Sequence, residues 1–210
     1  MKKRIIIALA VLGSLLLHSC VSTSSIFSEY PSCELPCWRG IQIGMPYEDV
    51  FEKVRDMDDV SERSIELTDN ESMQPNVKTI WFKFVSTDFK YGRLYFIDNK
   101  LDRIIFIDPL GEARHLNHWI ELFGNPTKIW LDGGEHTRGV LYSSLYFTDI
   151  NICIDSKPLT LEKARQIDQE SEIDLVVIYD EGRIQPFMDF GCYSTERIST
   201  AVNWIGYGDY

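Results

Sequence analysis

The sequence predicts an α+β fold: tandem αβ4 halves, with an antiparallel sheet and its helices packed on one face. Two observations predict it. Apolar residues recur at helical spacing in just two places of the first 130 residues, and each helical stretch is followed by four stretches of period-2 alternation. Helices alternating singly with strands would argue for a parallel sheet, whereas strands in runs argue for an antiparallel one.

The first helix is expected over residues 46–57, where Tyr47, Val50, Val54 and Met57 fall on one side. Pro46 suits its start, because a missing N–H costs nothing in the first turn. Strands follow at 64–68, 77–85, 93–97 and 101–107. The last two are joined by a short turn at Asp98-Asn99-Lys100, which lacks the favoured Asn-Gly pair. A second helix is expected over 112–123, with Leu116, Trp119, Ile120 and Phe123 on one side. Gly124 and Pro126 stop it. Four more strands are expected at 127–131, 140–147, 150–155 and 174–179, with a short inserted helix over 159–167. The halves therefore run from about 40 to 108 and from 111 to 180, within a single domain of residues 31–210 that ends in an aromatic-rich tail.

The chain opens Met1-Lys2-Lys3-Arg4, followed by an uncharged apolar run over 5–17. As a helix this run spans about 20 Å, short of the ~30 Å hydrocarbon core. A basic start and a run of this length make the pattern of a secretory signal, expected over residues 1–19. Residues 20–30 open on Cys20 and continue as a serine-rich stretch that reads as a polar linker. The five cysteines, Cys20, Cys33, Cys37, Cys153 and Cys192, are an odd number for an exported chain. If Cys20 is modified, the other four are expected to form two disulfides. Three pairings are open.

Leu17-His18-Ser19-Cys20 resembles the lipobox of bacterial lipoproteins. That resemblance implies that Cys20 carries a diacylglyceryl group and an acylated amine. The domain is then lipid-anchored to the bacterial cell membrane or outer membrane, on its extracytoplasmic side. Gly44, Glu48 or Asp49, and Val50 before and in the first helix, with Phe123, Gly124 and Pro126 closing the second, resemble motifs of the β-lactamase-inhibitor-protein-like superfamily. That group includes small outer-membrane assembly lipoproteins, and its partner-binding members use the concave sheet face. Pro36-Cys37-Trp38-Arg39-Gly40-Ile41 and Trp204-Ile205-Gly206-Tyr207-Gly208 are also similar to segments of lipoproteins from environmental bacteria, a likeness that implies no activity.

The formal charge is −11, and it becomes more negative once the cationic leader is gone. Such a balance disfavours nucleic acid as a partner, because like charges repel. Hydrophobic residues make up 44% of the chain and aromatics 12%, enough for a packed core.

For chemistry, the chain holds no phosphate-binding loop, nucleophile elbow or dinucleotide fingerprint. His115, His118 and His136 could be imagined around a metal, which is the alternative reading of a metal-dependent or hydrolytic enzyme. They lack the HExxH order, and exposed helix histidines account for them more simply. No cofactor is expected. Alternation offers a better lead. It puts Ile80, Phe82, Phe84, Leu94, Phe96, Ile129, Leu131, Leu141, Leu145 and Phe147 on one sheet face. Trp81, Tyr95, Trp130, Tyr142 and Tyr146 fall on the other. These five aromatics are the candidate contact surface for an envelope protein, provided the C-terminal tail does not cover them.

Overall fold

The computed structural model describes residues 37–69, 76–85, 87–131, 143–157, 166–180, 192 and 200–209. Cys20, Cys33, His136, Leu141 and Tyr142 lie outside them, as does most of the expected insertion at 159–167.

The first described element is a hairpin of β1 (Cys37–Trp38) and β2 (Ile41–Gln42). Its two-residue turn, Arg39-Gly40, has positive φ at both positions, 47° and 74°, the geometry that matches strand twist. The hairpin buries Trp38 and Ile41. Helix α1 (Tyr47–Arg55) carries Glu48 and Asp49 in its first turn and Lys53 and Arg55 in its last, both favourable to the helix dipole. Val50 and Val54, one turn apart, are its fully buried residues. Arg39 donates to Asp59, which pins the hairpin to the segment after α1.

Strands β3 (Glu66–Asp69), β4 (Val77–Lys83), β5 (Phe89–Ile97) and β6 (Lys100–Pro109) then pair in sequence order. The β5–β6 turn is two residues, Asp98-Asn99, both at positive φ, 50° and 63°. Aspartate and asparagine tolerate that region well enough to replace Asn-Gly. Strand β5 begins four residues before the expected start, at Phe89.

The expected helix 112–123 is divided. Gly111–Arg114 form a 3-10 turn, and α2 is Leu116–Phe123. The break falls at His115, which is extended and bridges to Glu172. The Trp119 indole N–H, reaching back to the Ala113 carbonyl at 2.7 Å, ties the turn to the helix. Strands β7 (Lys128–Leu131), β8 (Ser143–Phe147), β9 (Ile152–Ser156) and β11 (Ile173–Tyr179) follow. The short β10 (Gln166–Ile167) pairs with β13 (Gly208–Asp209), so the end of the expected inserted helix is a strand. Strand β12 (Val202–Asn203) joins the far edge of the main sheet beside β7.

Among the described residues, nine strands form the main sheet in the order β12-β7-β8-β9-β11-β6-β5-β4-β3, and every pairing is antiparallel. The fold of the described residues is thus α+β, a large antiparallel sheet with two helices. Its larger core cluster joins Val50 and Val54 of α1 and Leu116 and Trp119 of α2 to sheet residues including Ile80, Phe82, Leu94, Phe96, Ile129, Leu145 and Phe147. A smaller cluster holds Ile105, Tyr146, Cys153, Val177, Tyr179 and Cys192.

Candidate functional site

The second sheet face is assembled by register. Trp81 on β4 lies opposite Arg93 on β5, followed across the sheet by Ile105, Val177, Cys153 and Tyr146. The row beside it runs Thr79, Tyr95, Arg103, Tyr179. On the other side lie Lys83, Tyr91, Ile107, Leu175, Asp155, Ser144 and Trp130. Trp81, Tyr95, Trp130 and Tyr146 therefore share one face, as their alternation requires.

The two ends of this face differ. On β4 to β6 the aromatics are half-buried and surround guanidinium groups. The Arg93 Cζ lies 4.4 Å from the Tyr95 ring centroid and 5.6 Å from that of Trp81. Arg103 stands over Tyr95 at 5.4 Å. Trp81 packs on Tyr91 at 5.5 Å, and Lys83 and Lys90 each approach the Tyr91 ring to 5.8 Å. Cation–π contacts of this kind contribute about 0.5–2 kcal/mol each, more as water is excluded.

The two arginines are in different electrostatic states. A β-bulge between Tyr95 and Phe96 inserts one extra residue into β6, so the register steps from Arg103 to Leu101. The extra residue, Asp102, escapes strict alternation. Its carboxylate takes the Arg103 Nε–H at 2.7 Å, and both residues are buried. Arg93 lies along regular strand and is half-exposed. Among the described residues no carboxylate pairs with it. Burial pushes the Tyr95 phenol above the ordinary tyrosine range, while Arg93 and Arg103 pull the other way. The hydroxyl is neutral, a donor.

The β8–β9 end is closed. Tyr146, Cys153 and Cys192 are each fully buried, and Cys153 and Cys192 form a disulfide with Cα atoms 5.7 Å apart. Asp155 accepts from Ser144 Oγ and from the Cys192 backbone N–H, the latter at 3.2 Å, which holds residue 192 against the sheet. Tyr146 thus corrects an expectation: it is core beneath Cys192, with no surface to offer a partner. Trp130 is intermediate, packed against the edge of the same cluster. Trp204 of the tail packs on the opposite, helix-bearing side, its backbone N–H donating to the Thr127 carbonyl at 3.1 Å. Cys37 is also disulfide-bonded, to a residue outside those described.

The histidines serve separate contacts. His115 Nδ1 lies 3.3 Å from the Glu170 carbonyl and 3.4 Å from its carboxylate. His118 packs its ring edge-on to Trp119 at 5.1 Å. Among the described residues, the grouping with ligand atoms close enough to share an ion is Cys153, Asp155 and Cys192. Its two sulfurs are spent on each other. Sequence reasoning singled out the aromatics and passed over Arg93, although period-2 alternation from Tyr95 already puts it on their face.

No family model, no curated protein and no solved structure matches this chain.

Proposed function

We propose that this is a lipoprotein, anchored through Cys20 outside the cytoplasmic membrane, whose domain binds an envelope protein and carries out no catalysis. The half-exposed Trp81–Arg93–Tyr95 stack on the face away from the helices carries the binding reading. Tryptophan, tyrosine and arginine are the residue types that dominate binding energy at interfaces. The lipid anchor rests on Leu17-His18-Ser19-Cys20 after a basic, apolar leader. With Cys20 acylated and Cys153 joined to Cys192, Cys33 is the partner left for Cys37.

The architecture is read as two αβ4 halves. Helix α1 precedes β3 to β6, α2 precedes β7, β8, β9 and β11, and the last strands of the two sets meet at the middle of the sheet. Val50, Val54, Leu116 and Trp119 share one cluster, which supports both helices lying on a common face. In a duplicated unit of this kind the face opposite the helices is the contact surface, and its β4 to β6 end carries the half-exposed Trp81, Tyr91 and Arg93.

Two measurements test the proposal together. Labelling with an alkyne fatty acid should mark the wild-type chain and vanish in Cys20→Ala, which should leave the membrane fraction. A photo-cross-linking side chain at Tyr91 should capture an envelope protein that one at Glu52, on α1, does not. Trp81→Ala should abolish the capture with little loss of stability, whereas Tyr146→Ala should cost about 3–5 kcal/mol as a large core truncation. Equal loss of stability in both variants would make Trp81 core and end the binding reading.

A further inference from the structure

We propose that the partner presents a carboxylate to Arg93, within an acidic segment whose neighbouring apolar residues lie on Trp81 and Tyr91. The inference rests on the binding reading above and adds the chemistry of what is bound.

The first observation is the charge state of Arg93. In a chain with 32 acidic and 21 basic residues, carboxylates are in excess. Among the described residues, Arg39, Arg55 and Arg103 have one within salt-bridge distance, whereas Arg63, Arg93 and Arg114 do not. Arg93 has two aromatic rings instead. Glu66 lies in the Arg93 row but two strands away, exposed on the edge strand β3 opposite Trp81, and the Asp102 carboxylate on the neighbouring β6 is taken by Arg103. A half-buried guanidinium among rings has lost part of its hydration, and a carboxylate brought to it gains more than one brought to an arginine in open water.

The second observation is the set of donors around it. Among the described residues no hydrogen bond engages the Trp81 indole N–H, the Tyr95 hydroxyl or the Arg93 guanidinium, and Lys83 adds a cation one residue pair away. Every unmet polar group on this patch can donate. A planar carboxylate matches the forked N–H pair of arginine, with the indole and phenol able to donate alongside.

The surrounding field chooses among anions. With a whole-chain charge of −11, an extended polyanion such as a phospholipid surface or nucleic acid meets long-range repulsion. A few carboxylates on a folded or extended protein segment do not carry that penalty. Apolar neighbours then cover the rings, which a bare anion leaves wet.

The full chain in detergent is titrated with a short leucine–tyrosine copolymer bearing only a few glutamates, with polyphosphate and phosphatidylglycerol vesicles as rival anions. Binding to the copolymer is expected, weakened tenfold or more by Arg93→Gln and less by Arg93→Lys. Arg55→Gln, which removes an exposed cation on α1, should leave it unchanged. Thermal midpoints of the variants report folding, and Arg93→Lys serves if Arg93→Gln unfolds. No copolymer binding, or equal loss with Arg55→Gln, overturns the inference. Tighter binding of polyphosphate or vesicles also overturns it, in favour of a phosphate surface. Self-association that Arg93→Gln abolishes replaces the partner with a second copy. If the Tyr91 cross-link persists while Arg93→Gln has no effect, the binding face stands and only the carboxylate fails.

Discussion

The Phe82 ring lies against the backbone of Gly92, its cross-strand partner on the helix-bearing face of the sheet. A Cβ built on Gly92 would stand 2.2 Å from Phe82 Cζ. Trp38 stacks on the ring at 5.8 Å between centroids and Phe84 meets it edge-on at 5.2 Å, which limits how far Phe82 can retreat. Gly92→Ala should therefore destabilise the domain by about 3 kcal/mol, as overpacking in a rigid core does. Urea unfolding gives the measurement. The two sites should be non-additive: Phe82→Leu should cost less in the Gly92→Ala background than alone. Additive losses would mean the ring does not need the glycine.

The Cys153–Cys192 disulfide closes a loop with a sequence separation of 39 residues. On the loop-entropy relation a link of that span contributes about 4 kcal/mol. Replacing both cysteines with alanine should lower stability by roughly that amount and increase protease cleavage around residue 192, whose backbone N–H would keep only its bond to Asp155. Unchanged stability in the double variant would show that the bridge adds nothing to the packing around Tyr146.

Burial pushes the Asp174 carboxyl above its ordinary range, with Asp108 adding to the effect and Lys157 opposing it. The folded state thus holds the Asp174 proton more tightly than the unfolded one. That contribution is complete below the unfolded pKa and is lost as pH rises through the folded value. Asp174→Asn should stabilise the domain at about pH 8 and do nothing at about pH 3, where both states are protonated. The site is partly open to solvent, so the gain should be about 0.5 kcal/mol. Denaturant midpoints at the two pH values decide it, and an equal effect at both would refute the assignment to this carboxyl.

The parts of the fold visible in the sequence are those written in local periodicity. Alternation in residues 77–85 separates Ile80 and Phe82 from Trp81, and these residues do occupy opposite faces. What alternation misses depends on partners distant in the chain. Gly92 has no side chain to mark a strand face, and its place against Phe82 is set across the ladder, so the strand expected from residue 93 begins instead at Phe89. Helix α2 loses its first turn because His115 pairs with Glu172, far along the chain. The bulge at Asp102 brings two consecutive side chains together, against the period-2 rule. The fate of the aromatic face was equally hidden: which end Cys192 covers depends on a disulfide choice that spacing leaves open.

Strand β11 has a further consequence for how the molecule can fail. It is bonded on one side to β6 and on the other to β9, through Val177 to Ile105 and to Cys153. If β11 detaches, the backbone edges of β6 and β9, both carrying isoleucines, are laid bare at once, each a template for a stray strand. An unfinished or locally melted chain would then assemble with its neighbours through β6 and β9, and the safeguard against such fibres is a ladder completed only when distant parts of the polypeptide have met.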